Sequence, residues 1–232
     1  MEPHRVLGAG LAASFTLMGF GGDSDSSAAV EREQGGTVMG TVRLDAPPPE
    51  PPPMLSPYSR RRYSRPPRFI AGGVTDVVVF LQAQSPPGSA PDSTVKIAQR
   101  NRTIVPHVTT IQTGTRVDFP NEDVVSHNLF SLSRGNRFNL GRYPPKESQS
   151  HVFENPGIVR LFCDIHAEMA GVILVLDTPY FTRPNPDGSY RISGVPPGRY
   201  SVVAWHENAA PDSTVVVVPD SGVVTVDFHI FP

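Results

Sequence analysis

Cys163, His166 and Met169 follow one another at offsets of three, within Cys163-Asp164-Ile165-His166-Ala167-Glu168-Met169. A thiolate, an imidazole and a thioether that close in sequence converge on one point if the intervening chain curls. Thiolate and thioether are soft ligands and imidazole is borderline, a set that selects copper over zinc, calcium or magnesium. A trigonal site of two imidazoles and one thiolate needs a second nitrogen. His127, in Ser126-His127-Asn128-Leu129-Phe130, could supply it from a neighbouring strand. Each residue alone has a plainer reading: a buried cysteine is a small hydrophobe, a histidine in a sheet is a satisfied polar group, and a methionine after a strand is core.

The rest of the reactive inventory excludes more than it suggests. Cys163 is the only cysteine. It rules out an internal disulfide, a two-cysteine copper centre, an iron–sulfur cluster and a multi-cysteine zinc site. Asp164 and Glu168 sit too close to the loop residues to work as a general acid–base pair. No Ser/His/Asp order, Walker loop or GxGxxG occurs. A site with four protein ligands leaves little room for substrate, so the pattern points away from an enzyme. His206 reads as a packing or surface residue, His107 and His151 as polar residues at strand ends, and Trp205 as core.

The elements that must position these residues read as strands. The 232 residues include 26 prolines and 20 glycines, too many for a helical bundle. Period-2 patterns with β-branched residues mark Thr37–Leu44, Val74–Gln84, Thr94–Ala98, Thr115–Phe119, Gly157–Phe162, Ala170–Leu176, Tyr200–His206, Ser213–Val218 and Val223–Ile230. Short strands with turn signals at this spacing indicate a β-sandwich or barrel. Strong strand patterns on both sides of the Cys163–Met169 run make it an interstrand loop. Ala-Pro-Asp-Ser-Thr-Val occurs twice, at Ala90–Val95 and Ala210–Val215, each time leading into a strand. Asn101-Arg102-Thr103 fits a glycosylation sequon.

Charge and termini bear on location and partners. The net charge of −2 gives no overall pull toward nucleic acid or anionic lipid. The apolar run Val6–Phe20 after Arg5, followed by Ser27-Ala28-Ala29, follows the plan of a secretory signal at 1–29. A periplasmic or secreted chain with no membrane span after signal removal is expected. Residues 46–68 hold two triple-proline runs and five arginines with interleaved tyrosines. They read as an extended, solvated loop, with an anionic surface or acidic partner as the alternative.

Val117-Asp118-Phe119-Pro120-Asn121, then His127-Asn128-Leu129-Phe130 and Cys163-x-x-His166-x-x-Met169, together resemble the copper site of cupredoxins of the plastocyanin/amicyanin type. The resemblance covers roughly 92–178. It implies one copper per chain, with His127, His166 and Cys163 as equatorial ligands and Met169 as the weak axial one. It also implies that Asn128 tethers the ligand loop by hydrogen bonds near the thiolate. Asp187-Gly188-Ser189-Tyr190-Arg191-Ile192, Val195-Pro196-Pro197-Gly198-Arg199-Tyr200 and the opening Gly36-Thr37-Val38-Met39-Gly40-Thr41-Val42 resemble the carboxypeptidase regulatory-like, transthyretin-type sandwich. The combination is similar to bacterial periplasmic proteins of the plastocyanin-like or methylamine-utilisation group. Ala167-Glu168 replaces the Pro-Trp usual there, placing a carboxylate beside the site and removing an apolar contact.

The expected fold is therefore all-β, a cupredoxin Greek-key sandwich plus a smaller transthyretin-like sandwich. The expected division is a signal at 1–29, the first part of the smaller sandwich with the Pro/Arg-rich loop at 30–84, the copper domain at 92–178, and the rest of the smaller sandwich at 179–232. The implied function is one-electron transfer between redox partner proteins, with no nucleic acid involved and the oligomeric state left open. A copper carrier or storage protein using the same ligands, and a metal-free interaction module, are the competing readings.

Overall fold

The computed structural model describes residues 35–45, 73–82 and 94–231. The expected signal at 1–29, the Pro/Arg-rich loop at 46–68 and the opening of the first hexapeptide copy lie outside the described residues. The described chain is all-β and forms two β-sandwiches.

The first two strands are β1 (Gly36–Leu44) and β2 (Val78–Gln82). Then follow β3 (Thr94–Lys96), β4 (Ala98–Arg100), β5 (Thr103–Val105), β6 (Val108–Gln112), β7 (Arg116–Pro120), β8 (Leu129–Ser131) and β9 (Phe138–Asn139). The middle of the chain closes with β10 (Ser148–Val152), β11 (Gly157–Cys163) and β12 (Ala170–Leu176). The last six are β13 (Phe181–Thr182), β14 (Ser189–Val195), β15 (Gly198–Trp205), β16 (Asp212–Val218), β17 (Val223–Thr225) and β18 (Phe228–Ile230).

One sandwich faces sheet β10-β7-β3 with sheet β6-β12-β11-β8-β9, and the hairpin β4-β5 lies beside them. Its core holds Ile111, Phe119, Leu129, Phe153, Leu161 and Ile173, together with Cys163 and Met169. The second sandwich faces β14-β1-β17, where β18 also pairs with β1, with β13-β2-β15-β16. Its core includes Val38, Leu81, Tyr190, Ile192, Val202 and Phe228. The N-terminal strands thus pair with strands that follow Asp177: β1 with β14, β17 and β18, and β2 with β13 and β15.

Alternation sets which side chains reach each core. In β11, Val159, Leu161 and Cys163 face inward while Ile158, Arg160 and Phe162 face out. The thiol therefore ends an inward-facing row at one end of the sheet. β12 breaks the alternation because both its faces are covered. Ile173 and Val175 enter one core; Val172, Leu174 and Leu176 pack against Val78 and Trp205 of the other sandwich.

Several expected strands differ in extent. Val74–Asp76 is a single 3-10 turn, and the strand starts at Val78. Thr94–Ala98 divides, because Thr94–Lys96 pairs with β7 while Ala98–Arg100 turns to pair with β5. Val223–Ile230 is broken at Val226-Asp227. There Asp227 Oδ1 accepts the Thr41 backbone N–H at 2.7 Å and the Thr41 hydroxyl at 2.8 Å, substituting a side chain for a ladder bond. Opposite the break, a Cβ on Gly40 would lie 1.7 Å from the Val226 carbonyl oxygen, so only glycine lets β1 pass.

Candidate metal centre

The loop from Cys163 to Ala170 joins two antiparallel strands whose last pair is Phe162 with Ala170. Cys163 N–H donates to the Met169 carbonyl at 3.2 Å, and Met169 N–H donates to the His166 carbonyl at 3.0 Å. These bonds curl the loop so that its first and last functional side chains stay adjacent. His127 arrives from the other direction, bonded through both backbone groups to Tyr143. The loop before it is shaped by buried Asn121, whose Nδ2 donates to the Val125 carbonyl and whose Oδ1 accepts from Asp123 N–H.

The structure brings His127, Cys163 and His166 together, their ligand atoms all within 4.8 Å of one another. His127 Nδ1 and His166 Nδ1 are 3.2 Å apart, and Cys163 Sγ lies 3.9 Å from the first and 3.8 Å from the second. The point equidistant from three atoms at those spacings is about 2.1 Å from each, the length of a metal–nitrogen bond and close to a metal–sulfur one. Met169 is 1 % exposed and lines the same core. His127 is fully buried and Cys163 6 % exposed, while His166 is only half-buried and its neighbour Ile165 is exposed. The two imidazole planes meet edge-on at 61°, with centroids 4.9 Å apart.

Hydrogen bonds fix the ring that is deepest. His127 Nε2 lies 2.8 Å from Asp123 Oδ2. A carboxylate only accepts, so Nε2 carries the proton and Nδ1 turns a lone pair toward Cys163 and His166. The Asp123 carboxylate also accepts the backbone N–H groups of Asn101 and Arg102. Burial pulls the Asp123 carboxyl up, but the bonds from Arg102, His127 and Asn101 outweigh it and hold it below the usual range. Asn128 ties the loop at its start: its Nδ2 donates to Asp164 Oδ2 at 3.0 Å and its carbonyl accepts Asp164 N–H at 3.3 Å.

Beneath the cluster, Tyr143 and Gln99 are both buried. Tyr143 OH donates to the Phe119 carbonyl at 3.0 Å and accepts from Gln99 Nε2. Burial pushes the phenol up to about 12, and nearby Cys163 adds to that. Asp123, Asn121, Gln99 and Tyr143 were not among the residues expected from sequence. Only the carboxylate four residues before His127 offered a signal, and its value depends on how the loop folds.

The donor set fits a soft cation. Two imidazole nitrogens and a sulfur converge beside buried His127, with a thioether in the adjoining core. Two nitrogens and one sulfur at these spacings suit copper better than a metal that demands hard oxygens. His206, His107 and His151 lie apart from this cluster, at the junction between the sandwiches and on β10.

No family model matches the sequence, and no curated protein does. Among solved structures the chain is similar to a copper-containing nitrite reductase from Thermus scotoductus SA-01, at 26 % identity over 36 % of this chain and 22 % of that one, with a TM-score of 0.35. The chain thus spans about a fifth of the reductase's length. It is also similar to a purple cupredoxin from Nitrosopumilus maritimus, at 26 % identity over 35 % of this chain and 99 % of that one, TM-score 0.33. Amicyanin from Paracoccus versutus matches at 18 % identity over 42 % of this chain and 97 % of that one, TM-score 0.34.

Proposed function

We propose that this protein is an exported mononuclear copper protein that carries single electrons between redox partner proteins. The observation that carries the reading is the triangle of His127 Nδ1, His166 Nδ1 and Cys163 Sγ at 3.2, 3.8 and 3.9 Å. Copper held there would supply a one-electron couple between its two common oxidation states. His127, His166 and Cys163 would hold it, with Met169 as a fourth, weaker ligand from the adjoining core and one ion per chain.

The chain's own residues do the rest. Asp123 keeps the His127 proton on Nε2, so Nδ1 stays available as a ligand. Burial of His127, Cys163 and Met169 excludes water from three of the four donors, which supports a carrier rather than an enzyme. Half-buried His166 brings the site to within one imidazole ring of the surface, where a partner can dock. Export rests on the sequence of 1–29; among the described residues no helix is long and apolar enough to cross a membrane. The pairing of β1 and β2 with strands after Asp177 supports reading 30–84 and 179–232 as one transthyretin-like sandwich, with a cupredoxin domain at 92–178 inserted into it.

The test is copper titration of the purified protein, followed by visible absorption, electron paramagnetic resonance and voltammetry. One copper per chain, an intense thiolate-to-copper band and a reversible one-electron wave are expected. Rapid surrender of the metal to a chelating partner, with a slow and irreversible wave, would favour a copper carrier. No uptake at all would favour a metal-free interaction module.

A further inference from the structure

We propose that Glu207, in the second sandwich, positions the exit of the ligand loop by holding His107 against it. This rests on the metal-centre reading above and names a positioning residue outside the ligand-bearing sandwich.

His107 stands just before β6, its side chain 21 % exposed. Its Nε2 lies 2.7 Å from Glu207 Oε2, and its Nδ1 lies 3.1 Å from the carbonyl oxygen of Ala170, the residue after Met169. The His107 main chain holds the same strand, since Val172 N–H donates to its carbonyl at 2.7 Å. A carboxylate and a carbonyl are both acceptors. Both ring nitrogens must therefore donate, and only the imidazolium has two N–H groups. His107 is a cation clamped between the two sandwiches, one N–H on each.

Packing confirms that the contact is tight. A Cβ on Gly171 would come within 2.8 Å of Ile104 Cγ2 and 3.2 Å of the His107 carbonyl oxygen, so the β5–β6 connection rests directly on the loop exit. From there the link to the site is short. Ala170 pairs with Phe162, and the Met169 carbonyl accepts Cys163 N–H. Moving Ala170 moves Met169 relative to the thiol.

Several charged groups face the His107 ring. Glu207 is the nearest, and its hydrogen bond raises the proton affinity of His107 against the opposing effect of burial. Asp76 adds a weaker negative charge. Arg160 lies 3.4 Å from the other oxygen of Glu207. His206, next to Glu207, is pushed down by burial, with Asp76 and Glu207 opposing. If Glu207 loses its charge, the ring tends to lose a proton and with it one of its two bonds.

The experiment compares the full chain with Glu207→Gln, first metal-free and then copper-loaded. In the metal-free wild type, the His107 ring and the amide resonances of Met169, Ala170 and Gly171 should titrate with one midpoint above 6.5, the ordinary histidine value. In Glu207→Gln that shared midpoint should fall to lower pH, while circular dichroism stays native. Loaded with copper, the variant should bind about tenfold more weakly and show a changed hyperfine splitting. Loop amides that do not follow the His107 titration in the wild type, or do not shift in a folded Glu207→Gln chain, overturn the proposal. Even if the variant fails to fold, wild-type loop amides that do not follow His107 overturn the proposal. If the metal-free results are as expected but no copper is taken up, the copper reading fails while the Glu207–His107–Ala170 link stands.

Discussion

Asp123 receives His127 Nε2–H at 2.8 Å on the same carboxylate that accepts the backbone N–H groups of Asn101 and Arg102. Asn101 and Arg102 both have positive φ, 53° and 55°, in the tight turn of the β4–β5 hairpin. One side chain thus secures an unfavourable turn and orients a buried imidazole. Asp123→Asn should weaken copper binding by tenfold to a hundredfold and cost about 1–3 kcal/mol of stability. Competition with a chromophoric chelator and denaturant unfolding measure the two effects separately.

Cys163→Ser should abolish the intense visible band of the copper-loaded chain, because only a thiolate supplies that charge transfer. Met169→Leu should retain the band and one copper while shifting the reduction potential, since an axial thioether bond is long and weak. Persistence of the band in the serine variant would remove Cys163 from the ligand set.

Two histidines at the junction give stability opposite pH trends. Hydrogen bonding to Glu207, partly offset by burial, raises His107 above 6.5. Its contribution is complete below that value and is lost as pH climbs through the raised one. Burial lowers His206, and its Nε2 lacks a hydrogen-bond partner. Below 6.5 the unfolded chain takes up that proton more readily, so stability falls as pH drops toward the lowered value. Denaturant midpoints across pH 5–9 should peak near 6.5. His206→Asn should flatten the acid limb, and Glu207→Gln the alkaline one.

Residues 179–232 expressed alone should not fold. β15 would lose β2 on one edge, and β14 would lose β1, leaving unpaired edges and an uncovered apolar face. Poor amide dispersion and a non-cooperative melt are expected. Cooperative unfolding of that piece would refute the split-sandwich reading.

What could be read in the sequence was whatever depends on local spacing. Cys163, His166 and Met169 sit on one loop, and strong strands on either side make their convergence a local matter. Placing His127 beside them required a long-range guess, because it stands 36 positions before Cys163 with several strands between. Asp123 was missed because its partner is defined only once the loop after Pro120 has folded. Strands β6 and β10, Val-Thr-Thr-Ile-Gln and Ser-Gln-Ser-His-Val, were missed for a different reason. Their polar residues hide the alternation, and it is pairing with β12 and β7 that makes them strands. Val223–Ile230 looked continuous because nothing local shows that the Asp227 side chain will replace a backbone acceptor for Thr41.

The strand that leaves the ligand loop is apolar on both faces, one set of side chains in each core. A chain with two cores ordinarily melts in two steps. Here, losing either sandwich strips one face of β12 of its cover, exposing Val172, Leu174 and Leu176 in one case and Ile173 and Val175 in the other. Heating should therefore give a single calorimetric transition, and the visible colour of the copper-loaded chain should fade at the temperature where the second sandwich unfolds, although that sandwich contributes no ligand.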